Sequence, residues 1–77
     1  MPLVEDLGIC RIEMYFRDHN PPHVHVVAGG DRARLAIDDG SLLDGVIRRS
    51  VFRAAREWVL ANADGLAELW TEFSRRD

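Results

Sequence analysis

"HVHVVAGGDRARLAI", residues 23–37, decides the fold. Val24, Val26 and Ala28 alternate with His23, His25 and Val27, which is the period-two pattern of a half-buried strand. Gly29-Gly30 then offers turn positions that tolerate positive φ. Past the turn, Ala33, Leu35 and Ile37 fall on one side and Arg32, Arg34 and Ala36 on the other. Two alternating runs joined by a Gly-Gly pair predict an antiparallel hairpin.

Working outward from that hairpin, a third run alternates from Ile9 to Phe16, with Ile12, Met14 and Phe16 opposite Arg11, Glu13 and Tyr15. It stops at Asp18, and Pro21-Pro22 can neither continue a helix nor donate to a ladder. Asn20, preceding a proline, is expected to be extended. On the other side, Asp39-Gly40 is a strong turn signal and predicts a brief strand from Ser41 to Leu43, ended by Asp44-Gly45. After Gly45 the period becomes helical. Val51, Ala55, Trp58 and Val59 share one face, and Arg49, Arg53 and Arg56 share the opposite one. This helix is expected from about Arg48 or Ser50 to Ala61. Asn62 is placed to end it and Asp64 to cap a second, whose apolar stripe is Leu66, Leu69, Trp70 and Phe73. The expected architecture is α+β: a small antiparallel sheet of three to four strands followed by two C-terminal helices packed on one face.

Bulk properties bound the rest. Seventy-seven residues make a single domain, residues 1–77, whose core is marginal at this size. Cys10 is the sole cysteine, so no intrachain disulfide is available; it reads as a small buried hydrophobe and suits a reducing, cytoplasmic setting. A partner chain or a metal is left as a staple. The N-terminus carries acids where a signal peptide needs bases, and no stretch approaches the roughly 20 apolar residues of a membrane span. Thirteen acids against ten bases, all arginine, give a net charge of −3. That argues against a protein built to coat nucleic acid and leaves room for a local basic face. The stripe Arg49, Arg53, Arg56 is either such a face, for nucleic acid or an acidic partner, or a solvated surface with Arg53 paired to Glu57.

All three histidines and two of the three prolines lie in "DHNPPHVHV", residues 18–26. Three readings compete. In the first, His23 and His25, two apart on a strand and about 6–7 Å from each other, bind a divalent transition metal with His19 as third imidazole and Asp18 as carboxylate. In the second, the imidazoles act as acid and base on a phosphodiester, Tyr15 shares their face, and Arg32 or Arg34 neutralises the phosphate. In the third, imidazoles bonded to Asp18 fix the corner after the first strand. An open groove favours chemistry, and burial against Asp18 favours scaffold. The open sheet face is expected to carry Arg11, Glu13, Tyr15, His23, His25, Val27, Arg32 and Arg34, and to be covered by a partner or ligand.

The "DHNPPHVHV" core, with the "MP" start, the "DDGSLLDG" segment and the "REWV…N…LAELW" ending, resembles over essentially the whole chain the bacterial family called domain of unknown function 4160. The resemblance marks Asp18, His19, Pro21, Pro22, His23 and His25 as hallmark positions, has Gly45 close the hairpin, and has Trp58 and Trp70 mark the helices. It implies neighbourhood with a small partner from domain of unknown function family 2442, in pairs that look like toxin–antitoxin modules. The expected function is therefore the toxin of such a pair, acting on RNA through His19, His23 and His25 with Tyr15 and Arg34. The alternatives are a non-catalytic protein- or nucleic-acid-binding module and a small histidine-ligated metal-binding domain. The expected partner is a small antitoxin-like protein or a second copy, with nucleic acid a further candidate and no membrane.

Overall fold

The hairpin at residues 23–37 is the centre of a five-stranded antiparallel meander. The strands are β1 (Leu3–Asp6), β2 (Arg11–Glu13), β3 (His23–Ala28), β4 (Asp31–Ala36) and β5 (Leu42–Val46), in the spatial order β1-β2-β3-β4-β5. Two helices follow, α1 (Arg49–Ala61) and α2 (Ala63–Arg75). The computed structural model describes residues 3–15 and 18–75, so the expected place of Phe16 in the first strand lies outside the described residues. β3 and β4 pair without a break from His23↔Ala36 to Ala28↔Asp31, and Gly29 turns the chain at φ 60°.

Alternation in the strands and the 3.6-residue period in the helices converge on one core. Ile12, Met14, Val24, Val26 and Leu35 are fully buried from the sheet side, and Val51, Ala55, Val59, Leu66 and Trp70 close over them from the helices. Both helices therefore cover a single face, as their apolar stripes require. Burying a Leu, Ile or Met side chain contributes roughly 1.5–3 kcal/mol, and this cluster is the chief apolar contribution to stability.

The structure differs from the sequence expectation in four places. The sheet has five strands instead of three or four. The added strand, β1, is an acidic edge of four residues whose register shifts between Leu3 and Glu5, which leaves no alternation to read. β2 is paired over three residues, and Ile9, expected within it, stands 48% exposed in the preceding turn. β5 does not stop at Asp44-Gly45 but runs through it, with Asp44 opposite Arg34 and Gly45 opposite Ala33. Asn62, finally, serves both helices: its backbone N–H donates to the carbonyls of Trp58 and Val59, and its carbonyl accepts from Leu66 N–H. Asp64 lies inside the first turn of α2, where its charge complements the helix dipole.

Gly45 explains why a turn signal became a strand. Its φ of +94° is in the left-handed half of backbone space, and a Cβ there would stand 2.3 Å from the Arg32 carbonyl oxygen and 2.5 Å from Ala33 Cα. The glycine permits a close approach of β5 to β4 instead of a reversal. Gly45→Ala is expected to cost about 2–4 kcal/mol, strained φ and backbone overlap combined. Val46→Ala beside it, 79% exposed, should cost about 0.5 kcal/mol or less. Equal urea midpoints for the two variants would rule out the close approach.

Cys10 is buried, at 4% exposure. Burial, followed by the nearby Asp6 carboxylate, pushes its thiol above the ordinary range. Because the thiolate is the reactive species, iodoacetamide at pH 8 should alkylate the folded protein at least about tenfold more slowly than the urea-unfolded chain. Equal rates would contradict that burial.

Candidate functional site

The segment between β2 and β3 places Asp18 over the start of β3. Asp18 Oδ1 accepts a hydrogen bond from the His19 backbone N–H at 2.8 Å. Its Oδ2 stands 2.8 Å from His25 Nε2 and 3.1 Å from His23 Nε2. The other ring nitrogen of His23, Nδ1, is 2.8 Å from the Pro21 carbonyl oxygen. The Asn20–Pro21 peptide bond is cis, and Ile37 N–H donates to the Pro22 carbonyl at 3.1 Å, so the corner is tied to the end of β4 as well.

His23 and His25, two apart, both reach Asp18, yet their surroundings differ. The His25 side chain is 23% exposed and that of His23 is 0% exposed. His23 was expected on the open face. Instead its ring sits 5.1 Å from the Trp70 indole of α2 and 5.0 Å, edge-on, from the His25 ring. A position at the first residue of β3 lets the side chain turn under the Asp18 segment towards α2. Val27 and Glu13, also expected on the open face, are buried to 5% and 3%. Val27 is flanked in register by Arg11 and Arg32, whose aliphatic stems can cover it. Glu13 accepts from the Tyr15 hydroxyl at 2.9 Å and faces Arg11 at 3.7 Å.

A carbonyl oxygen only accepts, so His23 Nδ1 must carry the proton it donates to Pro21. A neutral His23 then presents the lone pair of Nε2 to a carboxylate oxygen, which is repulsive. The contact becomes favourable once a proton or a metal ion lies between the two atoms. For Asp18 itself, burial pushes the carboxyl up. The bonds from His25 and the His19 amide, together with the charges of both imidazoles, outweigh it and hold the carboxyl below its usual range.

The remaining expected site residues are placed as follows. His19 contributes its backbone to Asp18 while its side chain is exposed, outside the group of converging atoms. Tyr15 packs its ring 4.4 Å from that of His25. Its bond to Glu13, then burial and the Glu13 charge, push the phenol above its ordinary range. Arg34 is the cross-strand neighbour of His25, but its guanidinium is engaged by both carboxylate oxygens of Asp44. Arg32 is exposed one pair further along the same face. The expected Arg53–Glu57 pair does not form among the described residues.

Three participants were not among the expected site residues: Glu13, Asp44 and Trp70. Glu13, His25, Arg34 and Asp44 form one row across four strands, so Glu13 orients Tyr15 and Asp44 occupies Arg34. Glu13 had a signal, its spacing of two from Tyr15. Trp70 had none near the motif, because only the packing of α2 brings it to His23.

These features define a small α+β domain whose first corner is built on an Asp–His–His cluster. Within that class the chain belongs to the family described as Domain of unknown function (DUF4160), whose model matches residues 9–71. No curated protein and no solved structure matches the chain. No helix among the described residues is long and apolar enough to cross a membrane.

The two histidines should separate by mutation. His23→Ala removes a fully buried ring and leaves the Pro21 carbonyl without its side-chain partner, at an expected cost of about 2–4 kcal/mol. His25→Ala, partly exposed, should cost about 1 kcal/mol or less. Thermal melts in which the two variants lose equal stability would contradict this division.

Proposed function

We propose that the chain is a small metal-binding module that holds a divalent transition metal on Asp18, His23 and His25. The observation that carries this reading is the meeting of two imidazole Nε2 atoms and one carboxylate oxygen, all within 4.8 Å of one another. A first-row ion with bonds of roughly 2.0–2.1 Å sets tetrahedral ligands about 3.3 Å apart. The separations of 3.1 and 2.8 Å from Asp18 Oδ2 are close to that value, and the imidazole nitrogens, within 4.8 Å of each other, would draw together on an ion. His23 is already in the tautomer that frees Nε2, and its Nδ1–H bond to Pro21 is the outer bond that commonly orients a ligating imidazole. The partial exposure of Asp18 and His25 leaves a path for the ion to enter. Two nitrogens and one oxygen suit zinc or another late first-row ion and leave a coordination position for water or substrate.

Metal analysis of protein purified without chelator should find close to one equivalent of zinc, nickel or a similar ion. Dialysis against a chelator should lower the melting temperature, and re-addition should restore it. His25→Ala and Asp18→Asn should abolish both binding and the chelator effect. Metal-free protein that gains no stability from any of these ions would leave the cluster as a structural corner.

A second reading is favoured by His25 alone. Its ring is partly exposed, oriented by Asp18, stacked on Tyr15 and placed across from Arg34. In the role that the family resemblance suggested, the effector of a toxin–antitoxin-like pair acting on RNA, His25 is the group able to exchange a proton with substrate, while His23 is buried behind it. Induced expression in bacteria, alone and with the adjacent gene, tests this role: growth arrest that His25→Ala abolishes and the neighbour relieves is the expected result. Arrest that persists in His25→Ala would remove the histidine from the activity.

A further inference from the structure

β5 is the outer strand on one side of the sheet, and every residue in it is exposed. Leu42, Leu43 and Val46 stand 47%, 36% and 79% exposed, which is unusual for an edge, since edge strands are commonly guarded by charge or proline. Beside this edge runs a groove of about 530 Å³ between β5 and α1. Leu42, Ile47 and Phe52 form its apolar floor, and Arg49, Arg53 and Arg56 line it with cations, accompanied by one acid, Glu57.

The arginines are free. Among the described residues none of the three has an ion pair, whereas Arg11 and Arg34 do. The start of α1 adds to the positive potential, for Arg48 supplies no side-chain cap and no acid lies in the first turn. An unpaired apolar strand edge next to three unpaired guanidinium groups is complementary to one kind of ligand. We propose that this surface binds an extended acidic segment of another protein, which adds as a sixth strand along β5, sets apolar side chains on Leu42, Ile47 and Phe52, and pairs its carboxylates with Arg49, Arg53 and Arg56.

A second copy fits the same edge less well. Antiparallel pairing of β5 with β5 of another copy makes one continuous sheet, with both α1 helices on the same side. The two arginine stripes then face each other across the new junction, and like charges oppose the contact. The same potential disfavours a basic segment.

Selection from a displayed library of random peptides on the purified protein tests the proposal. Enriched peptides should alternate apolar residues with Asp or Glu. A synthetic enriched peptide should bind about tenfold more weakly to Arg53→Glu and to Val46→Asp, and more weakly still as salt is raised. Both substituted positions are exposed, and unchanged melting temperatures verify that the variants are folded. Swapping the peptide's acids for lysines should restore binding to Arg53→Glu relative to wild type. Failure to enrich any peptide, enrichment of basic or uncharged ones, or binding indifferent to Arg53→Glu would overturn the proposal. So would sedimentation of the free protein as a dimer that Val46→Asp dissociates, because a second copy would then occupy the edge.

Discussion

One carboxylate oxygen, Asp18 Oδ2, meets the Nε2 atoms of both His23 and His25, and the first corner of the domain is organised around that meeting. Among the described residues, 18–22 lie in no strand, and side chains help to fix their backbone. Asp18 fixes it to β3, the Pro21 carbonyl fixes it again through His23, and the Pro22 carbonyl fixes it to the end of β4. Hydrogen bonds of this kind contribute roughly 0.5–1.5 kcal/mol each, and more where a buried charge takes part, against total stabilities of about 5–15 kcal/mol for domains in general. Loss of the fully buried His23 leaves the Pro21 carbonyl without its side-chain partner, whereas water can reach the partly exposed Asp18 and His25 when one of them is lost. The cluster is consequently a structural element before it is anything else. The contact of His23 Nε2 with Asp18 Oδ2, which a proton or a metal ion would relieve, is what connects that element to a ligand.

The same logic of paired charge extends across the sheet. Glu13, His25, Arg34 and Asp44 form a row from β2 to β5 in which acids stand at the ends and bases in the middle. The Arg34–Asp44 pair across β4 and β5 reinforces the register, and a slip by one residue would set each of the four against a neighbour of the adjacent row. The row also restrains the site. Arg34, held by Asp44, is less available to a ligand than its position beside His25 suggests, and the Tyr15 hydroxyl is already committed to Glu13.

Much of this was legible in the residues. The alternation of residues 23–37 and the Gly-Gly pair marked the central hairpin, and the change of period after Gly45 marked both helices. Strand spacing put His23 and His25 together, and the Pro-Pro corner suggested Asp18 and His19 beside them. What escaped depended on contacts between distant segments. β1 is recognisable through its pairing with β2, since "LVED" has no periodicity of its own. Asp44-Gly45 carries a turn signal, but the positive φ of Gly45 serves a close approach of strands instead. The burial of His23 is decided by Trp70, which the packing of α2 delivers from the far end of the chain. His19 looked like a third ligand because it adjoins Asp18, yet it is the backbone of His19 that bonds there.

Net charge is the property that misleads most about this surface. A chain of net charge −3 gives no hint of a cationic face, but several of its acids are used internally. Glu13 is held by Tyr15 and Arg11, Asp18 by two imidazoles, and Asp44 by Arg34. The arginines of α1 have no such partner among the described residues, so their field acts outward over the groove and the apolar edge beside it. That field resolves an apparent hazard in the fold. An exposed apolar edge strand is a template for pairing with any chain, including another copy. Asp44, the one charge on the strand, is held by Arg34, and the free cations stand on the neighbouring helix. Arg49, Arg53 and Arg56 raise the cost of self-pairing, while an acidic segment would meet attraction at the same place. Selectivity between the two follows from the sign of the partner's charge alone, and β5 can therefore remain apolar without making every collision with its own kind adhesive.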